Sequence, residues 1–160
     1  MIMLESFLFQ TLSKSVRIMG MLVLSMLITH TSQASAFKPP SEVVQSFNEH
    51  YPDAKSTKWT KIKDEDKPYK VSFVQKKVKL NAYFNKEGKW IETEKNIRLK
   101  ALPETIKATL DSQFGEIGYS MLHATEILQN DGAIVYAVSI RSSGRRSNLL
   151  VTMEGSFSYR

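Results

Sequence analysis

The residues able to do chemistry in this chain are few and scattered. There are three histidines among 160 residues and no cysteine. Past the apolar N-terminal stretch the histidines are His50 and His123. A metal or nucleophilic role for either requires clustered ligands or an adjacent partner nucleophile. His50 precedes Tyr51 at the end of a helical pattern, where a solvated or dipole-stabilised histidine is ordinary. Asp64-Glu65-Asp66 offers three carboxylates, yet it lacks the further oxygen ligands and the glycine of a calcium loop, and reads as a solvated turn. Ser142-Ser143-Gly144-Arg145-Arg146 could cradle an anion with its glycine and two guanidiniums, although an exposed hairpin tip is the plainer reading. Glu92 and Glu94 share one strand face. Hydrolysis by paired carboxylates would require them to converge in a cleft with at least one pKa raised, and no pattern sets another carboxylate beside them. The sequence therefore assigns no catalytic residue, no metal ligand and no cofactor. It points away from an enzyme, with an envelope hydrolase using carboxylates as the alternative.

Charge is the better guide. Lysine and arginine outnumber aspartate and glutamate by 22 to 16, for a net charge of +6. Between Lys55 and Lys79 nine lysines face only Asp64, Glu65 and Asp66, whereas Pro103 to Arg160 holds five basic and six acidic residues. The basicity is thus one local patch. Lys70, Lys79, Asn81 and Tyr83 alternate with apolar residues and fall on the face opposite the expected core. With Trp59 and Lys61 they form the candidate binding residues, and the aromatic side chains Tyr83 and Trp59 are the expected anchors. Lysines that keep an open sheet soluble and block edge pairing are the competing explanation. A basic patch with aromatics also suits nucleic acid, but export to a compartment poor in nucleic acid argues against that partner. An acidic protein, a peptide or an envelope polymer is expected instead.

The elements that must position these residues follow from periodicity. Pro40 opens a helix in which Val43, Phe47 and Tyr51 recur at a spacing of four, and Pro52 stops it. Lys55 to Lys63 reads as a strand; Trp59 shares one face with Lys61 and Lys63, and which face meets the core stays open. Tyr69, Val71 and Phe73, then Val78, Leu80, Ala82 and Phe84, alternate with polar residues as two half-buried strands. Asn85-Lys86-Glu87-Gly88 turns the chain into a further strand from Trp90 to Leu99. Leu102-Pro103-Glu104 opens a second helix carrying Ile106, Leu110 and Phe114, which Gly115 is expected to end. Strands over Tyr119–Leu128, around Ile134–Ile140 and over Leu149–Met153 follow, with Asn130-Asp131-Gly132 as a hairpin turn. The helices align at a shift of 63 residues. Tyr69-Val71-Phe73 aligns with Tyr136-Val138-Ile140, and Gly88 with Gly155, at a shift of 67. The expected fold is α+β: a tandem repeat of one helix plus a three- to four-stranded antiparallel meander, with the helices packed on one face. The repeats span residues 40–102 and 103–160.

The N-terminal region reads as a targeting segment. Lys14 and Arg17 precede an apolar run from Ile18 to Ile28, and Ala34-Ser35-Ala36 offers small residues at the cleavage spacing. Residues 1–36 are the expected signal peptide, and 37–160 the exported domain, periplasmic or secreted. Eleven apolar residues are too few to span a bilayer, so no anchor is expected after cleavage. The missing cysteine excludes disulfides, thiolate chemistry and lipid attachment at a cysteine.

Certain of these residues resemble the secreted PepSY-like family. They are Tyr51-Pro52-Asp53-Ala54 with Trp59, Tyr69-x-Val71-x-Phe73, Phe84-Asn85-x-x-Gly88-x-Trp90, and the Leu102-Pro103 that opens the second unit. That family is similar to beta-lactamase-inhibitor proteins, whose tandem helix-plus-sheet units present a sheet surface to a partner enzyme. The resemblance covers Pro40 to Arg160 and implies a non-catalytic exported module, binding or inhibitory. The second unit departs from the pattern: Val151-Thr152 replaces the Phe-Asn pair, and no tryptophan follows Gly115.

Overall fold

The computed structural model describes residues 37–160. The expected signal peptide and its cleavage site lie outside the described residues. After an extended lead-in, Ser41–His50 forms helix α1, whose missing Pro40 N–H costs nothing at a helix start. Strands β1 (Lys55–Lys61), β2 (Tyr69–Gln75), β3 (Val78–Phe84) and β4 (Trp90–Ile97) follow. A 3₁₀ turn at Leu99–Ala101 leads to α2 (Glu104–Phe114). Then come β5 (Tyr119–Gln129), β6 (Ile134–Ser142), β7 (Arg145–Thr152) and β8 (Phe157–Tyr159). All eight strands form one antiparallel meander in sequence order, each paired with the next. The expected repeat is therefore present as two helix-plus-four-strand units, joined where β4 pairs β5 from Glu92↔Gln129 to Ile97↔Ala124.

Register places both helices on the same face. Ala82 stands opposite Thr93, Thr93 opposite Leu128, and Ala124 lies on the Leu128 side of β5. Val43 and Phe47 of α1 pack on Val71, Phe73, Ala82 and Phe84. Ile106 and Leu110 of α2 pack on Ala124, Tyr136, Val138, Ile140, Leu149 and Val151. The two cores share no residue. Between them on this face Lys95 of β4 and Glu126 of β5, opposite one another in register, form an ion pair at 2.6 Å. That charged seam is why the units do not merge into one core.

The first core centres on an aromatic helix residue, Phe47, and the second on an aliphatic one, Leu110, with Tyr136 among its buried residues. Phe47 meets Trp59, Phe73 and Phe84 edge-on, with ring centroids 5.4, 5.1 and 6.3 Å away, and tilts against Tyr51 at 5.5 Å. Edge-to-face packing suits the ring quadrupoles and adds to the area buried. Leu110, at the equivalent helix position, makes no such cluster. The turn after β3 docks on its helix: Gly88 has φ of +80°, and a Cβ there would stand 3.1 Å from the carbonyl of Glu42. A side chain would be strained by both backbone conformation and space.

One boundary differs from expectation. β1 stops at Lys61, because Ile62 N–H already bonds Pro68 C=O at 2.9 Å and the chain turns back. α2 ends at Phe114 with Gly115 as its cap, as expected; Gly115 keeps helical geometry with a φ of −59°, and the left-handed residue is Gly118 at +72°. Among the described residues no helix is long and apolar enough to cross a membrane.

Candidate functional site

The candidate site lies on the face of the sheet that carries no helix. Alternation along β2, β3 and β4 puts Lys70 and Ser72, Asn81 and Tyr83, and Glu92 and Glu94 on this side, in cross-strand rows. One row runs Thr60, Lys70, Tyr83, Glu92, Gln129; the next runs Lys58, Ser72, Asn81, Glu94, Ile127.

This face is concave. Arg160, just beyond β8, hydrogen-bonds Asn148 of β7 through its backbone N–H, yet its guanidinium reaches Glu94 of β4 at 3.3 Å. Four strand spacings in a flat sheet amount to about 19 Å, more than the two side chains span together. The strands must curl toward each other on this side. Burial agrees: Tyr83 is 7% exposed and Ile127 2%, although neither belongs to a helix-side core.

The six sequence-predicted residues therefore divide. Lys70, Lys79, Asn81 and Tyr83 share the helix-free face. Trp59 and Lys61 do not join them: Trp59 packs edge-on to Phe47 in the helix-side core, and Lys61 lies on the same side of β1. A bulge between Lys55 and Lys58, with Ser56 at a φ of +55°, blurs the alternation of this edge strand. Tyr83 is no exposed anchor either. Lys67 and Lys70 lie over its ring at 5.1 and 5.6 Å, and its hydroxyl donates to Glu94 Oε2 at 2.6 Å. Burial, and then the bond to carboxylate, raises its pKa well above the ordinary tyrosine value.

The two carboxylates of this face are engaged. Glu92 is ion-paired with Lys67. Glu94 holds Arg160 on Oε1 and Tyr83 on Oε2. The other candidates stay apart from them. His50 Nδ1 sits 2.8 Å from Ser46 C=O on α1, and Asp64 Oδ1 accepts the backbone N–H groups of Asp66 and Lys67 as an ordinary turn. Ser142 Oγ donates to Gly118 C=O at 2.8 Å, and Ser143-Gly144 is the left-handed tip of the β6–β7 hairpin. Among the described residues no three histidine, aspartate or glutamate side chains gather as a metal site.

Sequence reasoning missed three features. The β3–β4 ladder ends at Asn81↔Glu94, so Val78–Leu80 of β3 is not paired to β4, whose residues to Ile97 pair only with β5. A cleft of about 410 Å³ occupies this end of the ladder, lined by Lys58, Ser72, Lys79, Asn81 and Asn96. A second cleft, of about 350 Å³, lies between His123, Thr125, Ser139, Asn148 and Arg160. Asn96 links the two, its Oδ1 lying 3.2 Å from both His123 Nε2 and Thr125 Oγ1. The third feature is the β2–β3 turn, where Lys76 and Lys77 both have positive φ, +48° and +67°. Ser143 and Gly144 occupy the same places in the second unit. A cue existed here in the two-residue hairpin loop itself, which favours residues tolerant of left-handed geometry. A wider depression of about 760 Å³ follows the outer side of α1 from Lys38 to Glu49. Its charged lining residues are one cation and one carboxylate, Lys38 and Glu49.

Comparison with known proteins identifies the class. A family described as "Putative beta-lactamase-inhibitor-like, PepSY-like" matches over two segments, residues 28–83 and 67–158. The chain belongs to this PepSY-like family, and the double match accords with its two units. Solved structures share the fold. A DUF2874 family protein from Bacteroides uniformis is 16% identical, with a TM-score of 0.65 over 77% of this chain and 89% of that one. A BLIP-like protein from Bacteroides fragilis is 14% identical, with a TM-score of 0.63 over 79% and 88%. A protein of Bacteroides eggerthii, described as a proposed periplasmic one, is 15% identical, with a TM-score of 0.62 over 77% and 90%. No curated protein matches the chain.

Proposed function

We propose that this protein is an exported, non-catalytic binding or inhibitory module that receives an acidic protein, peptide or envelope polymer on its concave, helix-free face. One observation carries the reading. The carboxylates of that face are neutralised from within by Lys67 and Arg160, whereas Lys58, Lys70 and Lys79 form no ion pair among the described residues. Such a surface attracts anions and leaves no carboxylate placed as an acid or base, which disfavours the hydrolase alternative. The likeness to a BLIP-like structure and to a proposed periplasmic protein supports an inhibitor-type, exported role. The test is capture of a partner from the envelope fraction of the protein's own source, followed by Lys70→Glu with Lys79→Glu in one variant. Steering by opposite charge acts mainly on encounter, so the variant slows association with that partner while leaving thermal melting unchanged. An unchanged association rate would make the patch a solubility device.

A further inference from the structure

The cleft at the open end of the β3–β4 ladder has a polarity that deepens the binding reading, on which this inference rests. Asn81 and Asn96 both line it, and in both the side-chain carbonyl oxygen is already committed. Ser72 Oγ donates to Asn81 Oδ1 at 2.7 Å, and Thr125 Oγ1 donates to Asn96 Oδ1 at 3.2 Å. What each asparagine has left is its amide N–H₂, two donors and no acceptor. Lys58 and Lys79 stand on the same walls without an ion-pair partner among the described residues. The one carboxylate in register with Asn81, Glu94, is held by Tyr83 and Arg160. Side chains converging on about 410 Å³ thus offer two cations and two uncommitted amides.

We propose that this cleft is a carboxylate subsite: it receives the Asp or Glu side chains of an acidic protein segment lying along the concave face. Two features favour a polypeptide carboxylate. The planar carboxylate accepts from amide and ammonium donors together, and a second cleft beside Arg160 lies on the same face, its His123 and Thr125 bonded to Asn96 Oδ1, so that an extended chain could follow both. Arg160 has a part in this. By neutralising Glu94 it shields the incoming anion from the carboxylate in Asn81's own row.

The experiment measures binding of labelled oligoglutamate to the purified protein, with oligolysine as control, and tests Lys58→Gln with Lys79→Gln, Asn81→Asp, and Lys70→Glu alone. Oligoglutamate should bind and oligolysine should not, and the affinity should fall as salt is added. The double lysine variant should weaken binding by about tenfold or more. Asn81→Asp, isosteric and so able to keep the fold, should weaken it comparably by replacing a donor with a negative charge. Equal binding of the two peptides, or oligoglutamate binding that survives both cleft variants, overturns the proposal. So does competition by inorganic phosphate or a single-stranded oligonucleotide beyond a chloride control of equal ionic strength. If the cleft variants change nothing while Lys70→Glu abolishes binding, the subsite falls and the binding face stands. If oligoglutamate does not bind at all, the carboxylate assignment fails, and the reading of the face then rests on its own captured-partner test.

Discussion

Arg160 and Glu94 meet at 3.3 Å across the concave face, although three strands separate β4 from β8 in the sheet. The pair fastens the two units together on the side where neither helix lies. Arg160 remains partly exposed, so the pair is screened, and Arg160→Ala should cost about 0.2–1 kcal/mol. The loss should shrink in high salt, which thermal melting at two ionic strengths will show. Oligoglutamate binding should weaken at the same time, since Glu94 is unmasked.

Tyr83 ties stability to alkaline pH. Its folded pKa is raised, so the folded state keeps the phenolic proton where the unfolded chain, titrating near 10, has lost it. The contribution is fully present below the unfolded value and is lost as pH climbs toward the folded one. Tyr119, held by Asp111 and pushed up to about 12 by burial and that bond, acts in the same sense. Tyr83→Phe should cost about 1–3 kcal/mol at neutral pH through the lost bond to a carboxylate. It should also flatten the decline above pH 10, by up to about 1.4 kcal/mol per pH unit for each group removed. Denaturant titrations across the alkaline range check both.

The lysine turn should prove a compromise. Two non-glycine residues in left-handed geometry cost on the order of 1–2 kcal/mol each. Lys76→Asn with Lys77→Gly suits the turn and should raise the denaturation midpoint, while removing two positive charges from the patch. If these lysines serve only solubility, the variant will be more stable and bind oligoglutamate as before. If they serve steering, association will slow.

Gly88 offers a matched pair with Gly132. Both have positive φ, at +80° and +88°, but a Cβ meets Glu42 backbone only at Gly88. Gly132→Ala should cost about 1–2 kcal/mol from conformation alone. Gly88→Ala should cost measurably more, and the excess gauges how firmly the β3–β4 turn holds the first turn of α1.

Much of this architecture was legible in the residues. The spacing of Val43 and Phe47 and the alternation of Val71-Phe73 with Lys70-Ser72 specify which side each residue takes, and the repeat offsets carry turns as well as cores. What the sequence hid is long-range. Nothing near Tyr83 announces that the sheet curls enough to bury it, because the curl is secured by Arg160, distant in sequence. Trp59 went to the core because its register sets it opposite Val71, a pairing that the mixed composition of the edge strand did not reveal. The carboxylate cleft arises where a ladder ends, and pairing registers are set by neighbouring strands rather than by local pattern.

The separation of the cores has an optical corollary. Trp59 and Trp90 are the two tryptophans of the chain, and both lie against the aromatic cluster of the first unit. Indole fluorescence therefore watches one half of the sheet, while far-ultraviolet dichroism watches all of it. Phe47→Ala, at a cost of about 3–5 kcal/mol, strikes the observed half, and Leu110→Ala, at about 2–5 kcal/mol, the silent one. Coincident fluorescence and dichroism transitions in both variants would show that the β4–β5 ladder transmits unfolding across the seam. A fluorescence midpoint untouched by Leu110→Ala would mean that the halves melt as separate cooperative units.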